Sequence, residues 1–597
     1  MRIRIIIFIL GFFYITLLVR VYYLSVASNS YYKKLSLENT IKTEYIAPVR
    51  GEILDVHNIP IAINQLGFKI QLKPHLRRKK SINLFHEELD KLQRLFPYLD
   101  KNKMLKKYKR QDSFYNHNYI DIVDFIPYNE MMPKYSKLLL DENIKIIPSP
   151  RRKYPFDSIA SHVIGYVAKA NENDIKNDPL VELIGYAGKN GIEKYYNRFL
   201  EGEAGKRVVQ VNANNQVIKE LSYTPAKENR KITLHIDIEL QQYITKLFAN
   251  KAGAVIVMRR DGAILAAGSF PEYNLNTFVT GISTKEWLEL STSLDKPFTN
   301  KLINGLYPPG STIKTGLGLI YITTKLTPSF EVYCTARMPL GRRVFRCWKR
   351  AGHHKTNITK AIRESCDDFF YKGSLEVGIN IMSAGLKRMG LGKKTGVDLP
   401  NEFIGTVPSR EWKMKKYHQP WYMGETVNTS IGQGYMLVTP MQIATFTALM
   451  ATGKLPTPHF AKFIGEKLYT PAPKDVLTPK EKQYLPLIQR AMREVCSHKK
   501  GTATHYLHSK VPLAGKTGTA QVIGIKQDIK KRKLEHELEY YSRSHAWLTT
   551  YGPYNDPQYI VTVLVEHGGH GGAAAGGIVS DIYNWLLDHH YIKMEQH

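Results

Sequence analysis

Cysteine is scarce, with four in 597 residues, which rules out a disulfide-stapled scaffold. Acidic residues are in deficit too: 53 Asp and Glu stand against 84 Lys and Arg, leaving a formal charge of +31. That imbalance makes a nucleic acid, a membrane surface or a carboxylate-rich substrate the expected kinds of partner. Internal repeats and low-complexity tracts are missing, as are a Walker A loop and zinc-finger spacing. What is present is 43% hydrophobic residues, ample for a core, so a wholly disordered protein is excluded. At roughly 100–200 residues per domain the length suggests about three units.

One long hydrophobic run opens the chain. Met1-Arg2-Ile3-Arg4 is a short basic start, Ile5 to Val19 is apolar, and the run resumes after Arg20 as far as Val26. As a helix this stretch spans the ~30 Å of a bilayer core. Arg20 is placed to snorkel to the headgroups, and Tyr22 and Tyr23 suit the interface. No small-x-small cleavage site closes the segment, so it reads as an uncleaved anchor with the N-terminus in the cytoplasm; a cleaved signal peptide or a buried helix is the alternative. An external bulk argues against nucleic acid as the partner.

The anchor occupies residues 1–27, and a boundary falls near 236, dividing a second unit, 28–236, from a third, 237–597. Between about 74 and 150 the second unit turns very basic and helical-looking, with Arg77-Arg78-Lys79-Lys80 and Lys103 to Arg110 carrying much of the charge. In the third unit Gly253–Met258, an Asp261-Gly262 turn and Ala263–Ala267 signal a hairpin. His545–Tyr551 and Tyr559–Glu566 read as two more strands, and Ile578–His590 as a closing amphipathic helix. The pattern predicts an α+β unit with one antiparallel sheet whose strands come from both of its ends.

Pro308-Pro309-Gly310-Ser311-Thr312-Ile313-Lys314 punctuates the chain just before an apolar segment. Ser311 is therefore expected at a helix start with its hydroxyl exposed and its N–H unpaired, and Lys314 on the same helical face within reach of that hydroxyl. A serine hydroxyl is a weak nucleophile until a base takes its proton, and lysine can do so when partly neutral. A lone S-x-x-K is weak evidence, but Ser365-Cys366-Asp367 and Lys516-Thr517-Gly518-Thr519 follow it in order. S-x-x-K, S-x-N or S-x-D, and K-T-G in this order are specific to the β-lactam-recognising serine acyltransferases.

On these motifs the sequence resembles the class B penicillin-binding proteins, and among them the elongation transpeptidases of the penicillin-binding protein 2 group. The likeness extends to Ala47-Pro48-Val49-Arg50-Gly51, Gly191-Ile192-Glu193-Lys194-Tyr195-Tyr196, Ser409-Arg410-Glu411-Trp412-Lys413, Pro420-Trp421-Tyr422 and Ile431-Gly432-Gln433-Gly434-Tyr435, and is weakest across the basic insert. It implies a transmembrane helix, a pedestal of the dimerisation type over 28–236, and a transpeptidase domain of serine β-lactamase-like fold. It further implies that Ser311 attacks the penultimate D-alanine of a peptidoglycan stem peptide during cell-wall elongation. Lys314 would be the base, under like-charge repulsion from Lys516; Ser365, with Asp367 in its motif, and Lys516 would relay the proton. Lys516 and Thr517 would bind the donor carboxylate within the Lys516–Thr519 motif that includes Gly518, and the N–H groups of Ser311 and Thr519 would form the oxyanion hole. β-Lactams, a SEDS glycosyltransferase such as RodA, the scaffold MreC and the inner membrane are the partners the resemblance implies. The alternatives are a septal class B transpeptidase, which typically carries S-x-N, and a largely non-catalytic scaffold. A β-lactamase would need a hydrolytic water; Glu376 to Asn380 spells E-x-x-x-N but reads as part of the helical region following the second motif.

Cys334, Cys347 and Cys366 cluster with His353 in the spacing Cys-x12-Cys-x5-His-x12-Cys, a donor set for a closed tetrahedral site. Relatives of the same group can carry zinc here on Asp, Asp, His and Cys; this chain replaces both carboxylates with cysteine. Structural zinc and a disulfide plus a free thiol are both open, with His354 as a spare ligand. Zinc would fix Ser365 through its neighbour Cys366, so chelation is expected to lower acylation. Cys496 reads as a small core residue, and His567 and His570 as incidental histidines of a glycine-rich loop.

Overall fold

The computed structural model describes residues 2–28, 34, 40–78, 81–116, 118–212, 217–227, 230–522 and 535–594. Lys79 and Lys80 of the basic run lie outside them. Two compact units are formed, one from 1–51, 169–187 and 201–230 and the other from 52–168, 188–200 and 231–597.

The first unit begins with the apolar helix Arg2–Tyr22, prolonged by a π turn, Tyr23–Ala27. Its residues from Ile3 to Ala27 are exposed, and that stretch is long and apolar enough to cross a membrane. The same unit holds an antiparallel three-stranded sheet in the order Ile41–Ile46, Gly205–Val211, Val217–Thr224.

In the second unit five antiparallel strands run in the order Ile264–Phe270, Gly253–Arg259, Tyr559–Val565, His545–Gly552, Ala514–Ala520. The strands do come from both ends of 237–597, as the pattern of elements predicted, and Asp261-Gly262 turns the expected hairpin. Four of them read as nearly continuous apolar runs because both faces of the sheet are covered. The cover is visible at two consecutive residues, which a strand must point to opposite sides. Thr549 Oγ1 shares hydrogen bonds of 2.7 Å with Thr562 and with Thr447 of helix Pro440–Thr452. Thr550 Oγ1 instead donates to Tyr583 of helix Gly571–Asp588 at 3.4 Å.

That last helix begins seven residues before the predicted start at Ile578. Its opening Gly-Gly-Ala-Ala-Ala-Gly-Gly has poor helix propensity but is forced small: a Cβ on Gly571 would stand 2.1 Å from Trp547 O and 2.5 Å from Gly518 O. The basic insert also departs from expectation. Helices Ile82–Leu95 and Lys101–Gln111 are present, yet strands Ile120–Pro127 and Ile144–Pro148 flank Gly67–Leu72 in a three-stranded sheet beneath them. Ile120, Ile122 and Ile126 join Phe85, Leu89, Met104 and Tyr108 in a separate core. The strand period was hidden by Asp121 and Asp124, which pair with Lys69 and Lys107. Glu376 and Asn380 are exposed and sit on different helices, Asp367–Val377 and Ile379–Arg388, divided by Gly378.

Candidate active site

Gly310–Ile313 forms a 3₁₀ turn that runs into helix Lys314–Thr323. Gly310 has φ +55°, and a Cβ there would lie 2.6 Å from Thr519 O and 3.1 Å from Thr519 N, so glycine alone lets the turn approach strand Ala514–Ala520. Its N–H donates to Gly432 O at 3.0 Å. Ser311 is part-exposed while Gly310, Thr312 and Ile313 are buried, so the turn leaves the serine open. Lys314 is fully buried. Its ammonium donates to Asp367 Oδ1 at 2.6 Å, to Ser365 O at 3.0 Å and to Ser365 Oγ at 3.4 Å. Spacing predicted a reach to Ser311, but among the described residues no hydrogen bond joins Ser311 Oγ to Lys314 Nζ. The acceptors on Asp367 and Ser365 draw the ammonium to the second motif instead.

Ser365 ends helix Ile358–Arg363 in the way glycine usually does. Cys366 N–H donates to Ala361 O at 2.9 Å and Ser365 N–H to Ile362 O at 3.3 Å, with Ser365 itself at φ +54°. For a non-glycine residue that conformation costs about 1–2 kcal/mol. Around it, Lys516 Nζ donates to Ser365 Oγ at 3.1 Å, and the Trp348 indole N–H donates to both Glu364 O and Ser365 O at 3.1 Å. Trp348 N–H also donates to Asp367 Oδ2 at 3.0 Å. Trp348 belongs to none of the recognised motifs; the one hint was its place beside Cys347. Burial pushes the Asp367 carboxyl up, opposed by Lys314.

Strand Ala514–Ala520 is the sheet edge, with Lys516 opposite Thr549. Burial first, and then the charge of Lys314, push the Lys516 ammonium well below the ordinary lysine range. The like-charge effect of Lys314 is thus felt at Lys516. Thr517 Oγ1 shares a 2.7 Å hydrogen bond with Thr502 Oγ1. Gly518 is required by contact, since a Cβ would stand 2.8 Å from Thr312 Cγ2. Thr519 O accepts from Gln433 Nε2 at 3.0 Å, a tie that spacing alone did not reveal.

Behind the second motif, Cys334, Cys347, His353 and Cys366 are all buried, and their donor atoms lie within 4.8 Å of one another. His353 Nδ1 faces Cys347 Sγ at 3.4 Å and Cys334 Sγ at 3.7 Å. Hydrogen bonding to Cys366 foremost, and to His353, lowers the Cys334 and Cys347 thiols, while the same contacts push Cys366 up. All four cysteines are free. Three convergent sulfurs and an imidazole nitrogen, dry and at this spacing, fit a tetrahedral soft-donor metal site. His354 is not part of it; its ring lies exposed against Tyr333. Cys496 is a core residue whose thiol burial pushes up to about 12. His567 packs among Tyr540, Tyr541 and His545, and His570 is an exposed helix cap.

A family model of the penicillin binding protein transpeptidase domain matches residues 252–584, and one of the penicillin-binding protein dimerisation domain matches 45–234. The chain is 32% identical to the peptidoglycan D,D-transpeptidase MrdA of Escherichia coli strain K12, over 96% of this chain and 91% of that one. It is similar to the solved structure of Helicobacter pylori PBP2 in complex with MreC, with TM-score 0.85 and 42% identity over 92% of this chain and 99% of that one. For Pseudomonas aeruginosa PBP2 in complex with WCK 5153 the values are TM-score 0.69 and 29% identity over 93% and 99%.

Proposed function

The chain belongs to the penicillin-binding protein family and is an elongation-type peptidoglycan D,D-transpeptidase, and from that premise we propose the part each residue plays. Ser311 is the nucleophile and Lys314 its base. Lys314 becomes a neutral amine by passing a proton through Ser365 Oγ to Lys516, which burial keeps ready to receive it. The donor stem's terminal carboxylate, seated on Lys516 and Thr517, favours that transfer because a charge of opposite sign stabilises the newly formed ammonium. Ser311 Oγ then attacks the penultimate D-alanine carbonyl as its proton moves to Lys314. The N–H groups of Ser311 and Thr519 hold the oxyanion. The proton goes on to the amine of the departing D-alanine, and an acceptor amine resolves the ester with the same groups acting in reverse. Asp367 positions Lys314, and Trp348 positions Ser365.

The observation that carries this assignment is the continuous line from Lys314 Nζ through Ser365 Oγ to Lys516 Nζ, 3.4 and 3.1 Å, beside the Ser311 turn. Labelling with a fluorescent penicillin, followed by intact mass over time, tests it. One stable adduct, lost in Ser311→Ala, is expected. Prompt release of the adduct would indicate a hydrolase, and no adduct on a folded chain would reject the assignment.

Structural zinc on Cys334, Cys347, His353 and Cys366 is part of the proposal. Bound there, it supplies a cross-link between the loops of the second motif and no acid–base chemistry. The pedestal over 28–236 and the transpeptidase domain over 237–597 are proposed to lie outside the inner membrane, on a single-pass anchor with its N-terminus in the cytoplasm. The Helicobacter pylori protein is one seen with MreC. MreC as a partner is proposed from that relative, and β-lactams as ligands and a RodA-type glycosyltransferase as a further partner are proposed from the family resemblance.

A further inference from the structure

Between the second and third motifs lies a cluster of rings with no part in the proton network. Trp412, Tyr417 and Tyr435 are in mutual contact, their centroids 5.4–5.6 Å apart. Beneath them Lys413 is buried and ion-paired to Glu425, and its Nζ lies 4.6 Å from the Tyr422 ring centroid and 6.0 Å from that of Tyr435. Glu425 also accepts the Tyr422 N–H at 2.8 Å. Lys413, held by Glu425, thus supports Tyr422 and Tyr435 from below, and Tyr417 packs on Tyr435, while Tyr417 is 42% and Tyr422 60% exposed. Aromatic side chains serving only as core would be covered; held rigid and left open, they form a binding face.

The face is continuous with the cleft on both sides. Two residues before Tyr435, Gln433 donates to Thr519 O, and the neighbouring Gly432 O receives the Gly310 N–H. On the other side, Val427 of helix Met423–Thr429 shares a small core with Tyr371, which lies on the helix that Asp367 begins. Lys415 and Lys416 are exposed on the rim, with Lys416 Nζ 5.3 Å from the Trp412 ring and 5.5 Å from that of Tyr417.

We propose that this cluster is a saccharide subsite. It seats an N-acetylated amino sugar of the glycan strand that carries a stem peptide, with Tyr417 and Tyr422 stacked on pyranose C–H faces and Lys415 and Lys416 meeting stem carboxylates. The chemistry matches: sugar C–H groups are weakly positive and meet the negative face of a ring, and the rim charge is opposite to that of the stem. The proposal rests on the transpeptidase assignment, which is what brings a sugar-linked peptide to Ser311.

The test is equilibrium binding to the full-length chain in detergent, read by tryptophan fluorescence, with two probes: soluble uncross-linked peptidoglycan strands and the sugar-free stem pentapeptide. Strands are expected to bind about tenfold more tightly than pentapeptide, the equivalent of one or two ring contacts. Tyr417→Ala/Tyr422→Ala should abolish the difference, and Tyr417→Phe/Tyr422→Phe should keep it. Equal affinity of the two probes, or a preference that survives the alanine pair, would overturn the subsite. So would retention on anionic lipid vesicles without any preference for strands. Penicillin labelling of Ser311 separates the two claims, since its absence with the strand preference intact would count against the transpeptidase assignment alone.

Discussion

Ser365 stands where a helix-ending glycine is normal, and two substitutions there separate its conformation from its chemistry. Ser365→Ala and Ser365→Gly both delete the hydroxyl that receives hydrogen bonds from Lys314 at 3.4 Å and Lys516 at 3.1 Å. They differ only in a Cβ at φ +54°. Alanine keeps a strain of about 1–2 kcal/mol, which glycine removes. Against this, glycine adds unfolded-state freedom worth roughly 0.4–1 kcal/mol. The glycine variant should therefore be the more stable by about 0.5–1 kcal/mol, an increase in apparent Tm of roughly 1–2 °C for a unit of this size. Both variants should lose acylation by fluorescent penicillin by about a hundredfold or more, the usual scale for removing a proton relay. Melting of the full-length chain in detergent, followed by tryptophan fluorescence, gives the stabilities. An alanine variant as stable as the glycine one would refute the claim that the site holds Ser365 under strain, and an acylation rate near wild type in either would refute the relay.

Three further outcomes follow from the same geometry. Trp348→Phe removes the indole donor to Glu364 O and Ser365 O and leaves the backbone tie to Asp367, so acylation should fall about fivefold, the worth of roughly 1 kcal/mol; an unchanged rate would exclude a positioning role. Cys347→Ser should cost the chain its zinc, measured as metal per chain by mass spectrometry, and lower acylation by about 10–100-fold; metal-free wild type that acylates at the normal rate would dismiss the structural role. Glu272 gives a pH signature: burial pushes its carboxyl from 4.5 up to about 8, against hydrogen bonds from Thr245 and Ala160. Between those values the folded chain holds a proton that the unfolded chain has released, so stability falls as pH rises through the window. Tm of Glu272→Gln should gain on wild type between pH 5 and pH 8, and parallel curves would contradict it.

The legible part of the molecule was whatever a local pattern encodes. The hairpin about Asp261-Gly262 and the strands His545–Gly552 and Tyr559–Val565 announce themselves because their residues are apolar in runs between turn signals. Strand Ala514–Ala520 carries no such signal. Its Ala-Gly-Lys-Thr-Gly-Thr-Ala is small and polar because the Ser311 turn and helix Gly571–Asp588 press on it, so only the motif marked it. Spacing did not give the partners of the motif residues: the family resemblance placed Ser365 and Lys516 with Lys314, but not the Lys314–Asp367 ion pair. Lys314 finds Asp367 across 53 positions and Lys516 finds Ser365 across 151, distances at which spacing says nothing. Trp348 and Gln433 act on backbone carbonyls, which leave no trace in the chemistry of the residue they serve.

Three consecutive residues divide the work at the centre of this site. Ser365 faces the two lysines, Cys366 joins the sulfur cluster, and Asp367 is gripped three ways. Its N–H donates to Cys347 Sγ at 3.4 Å, its Oδ2 accepts from Trp348 N–H at 3.0 Å, and its Oδ1 holds Lys314 at 2.6 Å. Cys347 and Trp348 are adjacent, so one dipeptide fixes both the backbone and the carboxylate of Asp367. A rotation of that dipeptide must move the group that orients the Lys314 ammonium. The donor cluster is therefore tied to the Lys314 ammonium through Asp367 and, by way of Trp348, through Ser365 O as well, which is the route by which a buried cysteine inside the second motif would bear on catalysis.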